Sequence, residues 1–127
     1  MIFAYIDIKI RMKVIKSKQI KASDLKRKFN SKYPFLKIEF FKSKHKTLEG
    51  SLKKDLIVDD FIIDSNNPII EFEEEMLVSD LENQFAEKLK LYIQVFRKSG
   101  KSWLETTYTD SWSLKKQNQE GVDLSKI

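Results

Sequence analysis

The chain has 127 residues, of which 41% are hydrophobic, 34% charged and 12% aromatic. This length and composition predict one globular domain, or two very small fused modules, and exclude wholesale disorder. Because the chain has no cysteine, disulfide frameworks, thiolate metal sites and cysteine nucleophiles are excluded as well.

Charge is unevenly distributed along the chain. The formal net charge is +5, but residues 1–60 carry 16 basic and 7 acidic residues, a charge of +9, whereas residues 61–127 carry 8 and 12, a charge of −4. No apolar run approaches the roughly 18 residues of a membrane span, and Asp7 and Lys9 interrupt the only candidate for a secretory signal. We therefore expect a cytoplasmic protein with no membrane partner.

The first predicted element is a long strand over residues 2–14, where apolar residues alternate with mostly polar ones. A helix follows, because Ser23 is a good N-cap and Pro34 is a helix terminator. The apolar stripe of this helix consists of Leu25, Phe29 and Tyr33. The chain then continues with a strand over 35–41, a lysine-rich turn, and a third strand centred on Leu48.

A second series of elements begins after residues 55–65, a segment too apolar for a flexible linker and therefore expected to be ordered. Its first strand is predicted over 68–76. The following helix starts with Ser79 and Glu82, spaced as in a capping box, and a strand is predicted over 91–97. The apolar stripe of this helix consists of Leu81, Phe85 and Leu89.

The last predicted elements are a hairpin and a short helix. Residues 98–101 suit a hairpin turn because Gly100 adopts a positive φ without steric cost. A strand centred on Leu104 follows, and the final helix is predicted over 113–120, ending at Gly121.

The two series match each other in sequence. Residues 23–49 and 79–105 share ten identities at an offset of 56 without a gap, where chance gives roughly two. We expect an α+β fold of two tandem strand–helix–strand–strand units, 1–60 and 61–127, related by a pseudo-two-fold axis within one compact domain. Their helices are expected to pack on a largely antiparallel sheet. Convergence of two similar segments is the alternative, and the sequence leaves open whether the strands form one sheet or two packed sheets.

Most catalytic motifs are missing from the chain. Gly100-Lys101-Ser102 resembles the end of a phosphate-binding loop, but Val95 stands where that loop needs a glycine and a strand follows instead of a helix. His45 is the only histidine, so histidine metal clusters and most hydrolytic triads are excluded. We therefore expect no nucleotide, metal ion or other cofactor.

Carboxylates leave one route to catalysis open. Glu49 and Glu105 occupy equivalent positions in the two units, and Asp110 follows closely, so a small metal-assisted hydrolase is a third functional hypothesis. The structural alternative, which we favour, is that both glutamates form cross-strand ion pairs with lysines of their hairpins. On this interpretation the protein is not an enzyme.

The stretch Trp103–Trp112 contains both tryptophans of the chain, with threonines and carboxylates between them. In a strand, Trp103, Glu105 and Thr107 share one face, and tryptophan beside polar groups is typical of interfaces. Alternatively, Trp112 packs under the last helix and Trp103 covers the sheet. The candidate binding residues are Arg97, Lys98, Trp103, Glu105, Thr107, Asp110 and Trp112.

The same region resembles a known family. The runs Val95-Phe96-Arg97-Lys98-Ser99-Gly100, Trp103-Leu104-Glu105-Thr106-Thr107 and Thr109-Asp110-Ser111-Trp112 are similar to the pattern of a small family of uncharacterised bacterial proteins. The match covers residues 77–121. It implies a small α/β fold and self-association, and it carries no activity.

The basic first unit suggests a different partner. A dense lysine face holds phosphates by displacing counterions, and Phe41 is the one aromatic residue nearby that is expected outside the core. The residues for this nucleic-acid hypothesis are Arg27, Lys28, Lys32, Lys42, Lys44 and Lys46. Alternatively, the basic unit pairs with the acidic one, in the same or another subunit.

The leading hypothesis from the sequence is a non-catalytic protein-interaction module that binds a protein partner, or a second copy of itself, through the Trp103–Trp112 surface. A nucleic-acid-binding accessory protein is the alternative.

Overall fold

The computed structural model describes residues 11–13, 19–43, 55–64 and 70–126. Most of the first predicted strand, the strand at Leu48 and the candidate residues Lys44, Lys46 and Glu49 lie outside these ranges. The elements are β1 (Arg11–Lys13), β2 (Gln19–Lys21), α1 (Ala22–Lys32), β3 (Leu36–Phe41), β4 (Ile62–Asp64), β5 (Glu71–Glu73), α2 (Val78–Gln84) with a π-helical turn (Phe85–Leu89), β6 (Tyr92–Ser99), β7 (Ser102–Glu105), a 3-10 turn (Thr107–Thr109) and α3 (Leu114–Leu124).

The fold is α+β, as predicted, and every strand pair in the described residues is antiparallel. β1 pairs with β5, β2 pairs with β4, and β3, β6 and β7 form a three-stranded sheet with β6 in the centre. The three helices pack on one face of that sheet. The buried residues that make up this core are Leu25, Phe29, Leu36, Ile38, Phe40, Phe72, Leu81, Phe85, Ile93, Val95 and Leu114, among others.

The two faces of the three-stranded sheet differ in chemistry. The strand register sets Ile38 opposite Val95 and Phe40 opposite Ile93, so these apolar residues all point toward the helices. Because side chains alternate along a strand, the intervening residues point the other way, onto a surface here called the far face. The far face is formed by Lys37, Glu39, Phe41, Tyr92, Gln94, Phe96, Lys98, Trp103 and Glu105. Phe41 and Gln94 on this face are buried.

The two predicted units correspond in their helices but not in the register of their strands. α1 begins at Ala22 and α2 begins at Val78, which keeps the offset of 56. The sequence match also equates Phe40 with Phe96, and this equivalence is wrong, because Phe40 faces the helices and Phe96 lies on the far face opposite Lys37. Only an odd offset keeps equivalent residues on one face.

The π-helical turn lies at the point where the offset between the two units has to change from 56 to an odd number of residues. It falls at residues 85–89, between the start of α2 and β6, and a π turn holds one residue more than an α turn. Equivalent strands nevertheless pair with each other, β1 with β5 and β3 with β6. Such pairing is compatible with a two-fold relation, and the duplication itself stays a prediction.

The start of α1 is capped by a distant segment. Lys21, not Ser23, is the N-cap, and it makes no side-chain cap. The Ala22 amide donates to the Phe61 carbonyl oxygen at 2.8 Å. The Ser23 amide and hydroxyl donate to the two carboxylate oxygens of Asp60, at 2.9 and 2.7 Å. The predicted Ser23 cap is therefore wrong, because Asp60 and Phe61, which are distant in sequence, supply the acceptors.

α2 begins in the same way. Its N-cap is Leu77, without a side-chain hydrogen bond, and the Ser79 amide donates to the Asp110 carbonyl oxygen at 2.9 Å. The predicted capping box of Ser79 and Glu82 is therefore wrong. As a consequence, Glu82 is available for a different contact, described below.

The hairpin and the last helix are close to the prediction. Gly100 has φ +59 in the turn between β6 and β7, and the Ser113 hydroxyl caps α3 by accepting from the Lys116 amide at 3.0 Å. The predicted end at Gly121 is wrong, because α3 continues to Leu124. Gly121 instead allows close packing: a Cβ there would lie 2.7 Å from the Phe35 Cβ.

Candidate functional site

β7 is an outer strand of the three-stranded sheet, since within the described ranges its only strand partner is β6. Just beyond it, the Thr106 amide donates to the Val95 carbonyl oxygen of β6 at 3.2 Å. Successive backbone groups of an antiparallel strand point to opposite sides. The N–H and C=O groups of Trp103 and Glu105 therefore point outward, away from β6.

Two exposed apolar side chains lie on β7 and directly after it. Leu104 is 43% exposed and Tyr108 is 94% exposed. Leu104 lies opposite Arg97, on the helix side of the sheet. Tyr108 projects from the 3-10 turn, because the chain leaves the strand at Glu105 and turns back toward the start of α2.

This turn separates residues that the sequence placed on one face. The prediction aligned Thr107 with Trp103 and Glu105, but Thr107 is in the 3-10 turn, not in a strand. Its hydroxyl is buried and has no hydrogen-bond partner in the described structure. Thr107 is therefore no part of a surface with the other two residues.

The two tryptophans lie on opposite sides of the sheet. Trp103 is opposite Lys98 on the far face, where the ammonium group of Lys37 is 4.9 Å from its ring centroid and 5.6 Å from that of Phe96. Trp112 lies on the helix side. The fold therefore does not place Trp103 and Trp112 on one surface.

The environment of Trp112 is cationic. The Lys116 ammonium lies 4.3 Å from its ring centroid and the Arg97 guanidinium 5.8 Å. Lys116 belongs to α3, so one of the two sequence interpretations of Trp112, packing beside the last helix, describes its position. Cation–π contacts of this kind fix the ring between β6 and α3.

Arg97 belongs to a buried polar network. Its guanidinium donates to the Gln117 Oε1 at 2.9 Å, and the Gln117 Nε2 donates to the carbonyl and hydroxyl oxygens of Thr109, both at 2.7 Å. Gln117 is completely buried. A buried amide with both ends satisfied specifies one arrangement of its neighbours, so this network fixes the 3-10 turn against α3.

Further residues of the resemblance motif support the same turn. The Thr106 hydroxyl donates to the Val95 carbonyl oxygen at 2.9 Å, and Asn118 Oδ1 accepts the Phe35 amide at 2.9 Å. The motif thus contains residues that build the hairpin and dock α3. Within it, Leu104 and Tyr108 are large hydrophobic side chains that are exposed, and Trp103 is half-buried.

Glu82 is a largely buried carboxylic acid whose side chain lies near the Asp110 carboxylate. Burial raises the pKa of Glu82 to about 7; the nearby Asp110 carboxylate adds to the rise, and a hydrogen bond from the Val95 amide opposes it. Glu82 Oε2 is buried and has no hydrogen-bond partner in the part of the chain that is described. This arrangement favours a neutral glutamic acid near neutral pH.

The carboxylates proposed for metal-assisted hydrolysis are not brought together. Glu105 lies on the far face, whereas Asp110 lies beside the start of α2 on the helix side, and Glu49 is outside the described residues. Among the residues that are described, no group of three acidic or histidine side chains is placed to hold a metal ion.

The basic residues of the first unit are only partly available. Arg27 is paired with Asp24 on α1, Lys28 and Lys42 are exposed, and Lys32 is half-buried. Phe41 is 2% exposed. The expectation that Phe41 offers a stacking platform is therefore wrong, because this side chain is buried.

Sequence reasoning missed Lys37, Phe96 and Tyr108. Lys37 and Phe96 are brought together by the pairing of β3 with β6, which no local pattern specifies. The predicted strand through Thr107 leaves no place for the turn that carries Tyr108, although the three threonines and the aspartate around Tyr108 favour a turn.

Comparison with protein families, with curated proteins and with solved structures gives no match. The resemblance of residues 77–121 to the bacterial family therefore stays a prediction. In the part of the chain that is described, no helix is both long enough and apolar enough to cross a membrane.

Proposed function

We propose that this chain is a non-catalytic interaction module that docks a protein partner along β7 and the turn after it. The observation that carries the proposal is the coincidence of an outer strand with exposed apolar side chains. Leu104 and Tyr108, four residues apart, are two of the four large exposed hydrophobic residues in the described ranges. We place the interaction in the cytoplasm because the chain has no cysteine.

Strand addition is the binding mode that this arrangement supports. A partner strand takes up the outward backbone groups, which supply affinity, and pockets for alternate side chains supply specificity. Here Trp103 is available on one face of the sheet and Leu104 on the other. The buried network of Arg97, Gln117 and Thr109 holds the turn that presents Tyr108, so little ordering entropy is lost on binding.

Affinity capture with matched variants tests the proposal. The double variant Leu104→Lys and Tyr108→Ser should lose the partner that the wild-type chain retains, because it removes both exposed anchors. Val58→Ser with Ile62→Lys is the control, since these residues are the other two exposed hydrophobics and lie away from β7. Equal recovery of the partner by both variants, each with an unchanged unfolding transition, would contradict docking on β7.

A second candidate function is the binding of single-stranded nucleic acid on the far face. One observation favours it: Phe96 and Trp103 lie together there, with the Lys37 ammonium within 5.6 Å of both ring centroids. Aromatic rings stack on bases, and lysines pair with phosphates. This location differs from the basic face of α1 that the sequence suggested.

The two tryptophans provide an internal reporter for this second function. In a Trp112→Phe variant Trp103 is the only tryptophan, so fluorescence excited selectively in tryptophan reports on it alone. Short single-stranded RNA or DNA should quench this signal, with an affinity that falls as salt rises. The control is Trp103→Phe, whose remaining tryptophan lies on the helix side. Absence of quenching at low salt excludes the far face as a nucleic-acid site.

A further inference from the structure

We propose that the partner strand docked on β7 is an extended acidic peptide segment. Its acidic side chains lie on the far face near the hairpin turn, and its apolar side chains cover Leu104 and Tyr108. This inference rests on the proposed function of β7 as a docking edge, and it adds the chemistry of the partner. The observation that carries it is that cations border β7, although residues 61–127 carry a net charge of −4.

Cations lie beside β7 on both sides of the sheet. On the far face, Lys98 lies opposite Trp103, and the Lys37 ammonium lies 4.9 Å from the Trp103 ring centroid. On the helix side, Arg97 lies opposite Leu104. The salt bridges found among the described residues involve none of these three cations. The edge therefore offers positive charge that no carboxylate of the described structure neutralises by a salt bridge.

Arg97 is a cation with neutral hydrogen-bond partners. Its Nη1 donates to the Gln117 Oε1 at 2.9 Å, and its Nε is buried without a hydrogen-bond partner in the described structure. Salt screens a partly buried charge less than an exposed one. Neighbouring strands lie about 4.8 Å apart, so a strand added to β7 runs about 10 Å from β6. Because side chains extend from both strands, an acidic residue of the partner is attracted by this charge.

The two ends of β7 differ in charge. Lys98 and Trp103 face each other near the hairpin turn, and Lys101 is exposed within that turn. Glu105 is the last residue of β7, at the opposite end. Opposite charges on adjacent strands are stabilising, whereas like charges directly opposite each other are destabilising. We therefore expect the acidic residues of the partner near the hairpin turn and an uncharged residue beside Glu105.

The alternation of side chains assigns the remaining positions of the partner. Trp103 lies on the far face and Leu104 on the helix side, so successive residues of an added strand lie beside one face and then the other. On the helix side, Leu104 and Tyr108 are exposed apolar side chains, which apolar residues of the partner would cover. The expected segment therefore alternates acidic with apolar residues at one end and uncharged polar with apolar residues at the other.

An acidic peptide suits this edge better than a nucleic acid or a second copy of the chain. The outward backbone groups of Trp103 and Glu105 include both N–H donors and C=O acceptors. A peptide strand pairs with both kinds of group, whereas phosphates offer acceptors only. A second copy would bring the same cations toward each other, and like charges across an interface reduce affinity.

Fluorescence anisotropy with labelled, amidated peptides tests the inference. The peptide Glu-Val-Glu-Val-Thr-Val-Thr should bind the wild-type chain, with an affinity that falls as salt rises. The first control, Glu-Glu-Val-Val-Val-Thr-Thr, has the same composition and charge without the alternation. The second, Lys-Val-Lys-Val-Thr-Val-Thr, keeps the alternation and reverses the charge. Each control should bind about tenfold more weakly or worse.

Matched variants of the protein locate the bound peptide. Lys37→Gln with Lys98→Gln removes the two far-face cations beside Trp103 and should weaken binding of the alternating acidic peptide about five- to tenfold. Lys28→Gln with Lys42→Gln removes the same charge from exposed lysines in α1 and directly after β3, and should leave the affinity nearly unchanged. The unfolding transition of each variant identifies any loss of folding.

The outcomes separate the two proposals. If the alternating acidic peptide binds no better than its controls, or if both lysine pairs weaken it equally, the acidic partner is overturned. Loss of a captured protein by the Leu104 and Tyr108 variant would then still support β7 as a docking edge. Unchanged peptide binding by Leu104→Ser with Tyr108→Ser, which keeps the charge, overturns β7 itself. Binding of short single-stranded RNA or DNA instead of the peptide, with the same dependence on Lys37 and Lys98, assigns the far face to nucleic acid.

Discussion

At the scale of single residues, Glu82 is a buried carboxylic acid near a second carboxylate. Burial raises its pKa to about 7 from an ordinary value of 4.5, with a further contribution from the Asp110 carboxylate. A group whose folded-state pKa is raised contributes its full stability below the unfolded pKa and loses it as pH rises through the folded pKa. For Glu82 the loss therefore runs from about 4.5 to about 7 and is complete above that range.

Glu82→Gln should consequently stabilise the protein only at higher pH, because glutamine resembles the neutral acid. We expect its free energy of unfolding to match wild type below the ordinary pKa and to exceed it by about 3 kcal/mol above the raised one. Urea denaturation at the two extremes measures this difference. Glu87→Gln, on an exposed position of the same helical segment, is the control. A constant difference at all pH values would show that ionisation of Glu82 is not its cause.

Gly121 illustrates a packing constraint at one atom. A Cβ at this position would lie 2.7 Å from the Phe35 Cβ and 3.3 Å from the Phe35 carbonyl oxygen, so Gly121→Ala has to displace α3. Overpacking typically costs about 1–3 kcal/mol, against about 1 kcal/mol gained from helix propensity.

We therefore expect Gly121→Ala to lower the free energy of unfolding by up to about 2 kcal/mol, measured by chemical denaturation. The control Gln119→Ala, at an exposed position of α3, should be nearly neutral. A stabilising effect of Gly121→Ala would show that α3 adjusts its position without loss of packing.

The two informative glycines also show what the sequence can predict. Gly100 was assigned correctly to the hairpin turn, because a positive φ is a local requirement of the chain. The prediction that Gly121 ends a helix is wrong. Glycine is needed there because the helix packs closely against Phe35, a residue in the other half of the chain. The caps at Ser23 and Ser79 failed for a similar reason, since distant segments supply the acceptors.

At the scale of elements, the π-helical turn after α2 is the feature that distinguishes the second unit from the first. α1 has no such turn, and the strands that follow the two helices differ in register by an odd number of residues. A π turn accommodates one residue more than an α turn. The π turn therefore accommodates one additional residue of the second unit. In an α turn that residue would change which side chains of α2 or β6 face the core.

Deletion of Glu87, an exposed residue of the π turn, should convert it to an α turn and leave a cooperatively folded protein. Deletion of Lys28, also exposed but within the regular helix α1, should rotate the buried stripe and abolish cooperative unfolding. Circular dichroism during thermal denaturation distinguishes the two deletions. Equal damage by both would contradict the role assigned to the π turn.

The predictable part of the element list follows from local patterns. Residues rich in strand formers predicted the strands over 35–41 and 91–97, where β3 and β6 lie. The stripes of Leu25 with Phe29 and of Leu81 with Phe85 predicted α1 and α2. The partner of each strand was not predictable, because an alternating pattern fixes which face is apolar but not which strand lies beside it. For this reason the far face and the position of Lys37 over Trp103 emerged only in the folded structure.

At the scale of the whole molecule, the strand pairs interlock the two halves of the chain. β1 and β3 belong to the first unit, and they pair with β5 and β6 of the second. The core likewise combines Phe29 and Ile38 with Phe85 and Val95. Neither unit covers its own apolar face.

Fragments that contain residues 1–66 or 67–127 should therefore lack a cooperative unfolding transition when each is isolated. Mixing them should restore native-like secondary structure, because the missing strand partners are then present in trans. Circular dichroism and size-exclusion chromatography of the separate and mixed fragments measure this. Independent folding of either fragment, with an unfolding transition of its own, would contradict a shared core.

The pairing of β3 with β6 also has a consequence during synthesis of the chain. The paired residues are 51 to 61 positions apart, so β3 leaves the ribosome long before its partner exists. Until then, Leu36, Ile38 and Phe40 lack the strand that borders them. Contacts between distant segments slow folding, and uncovered apolar strands are prone to aggregation. The nascent first half is therefore the stage at which a chaperone has most to protect, and the lysines around it help to keep it in solution.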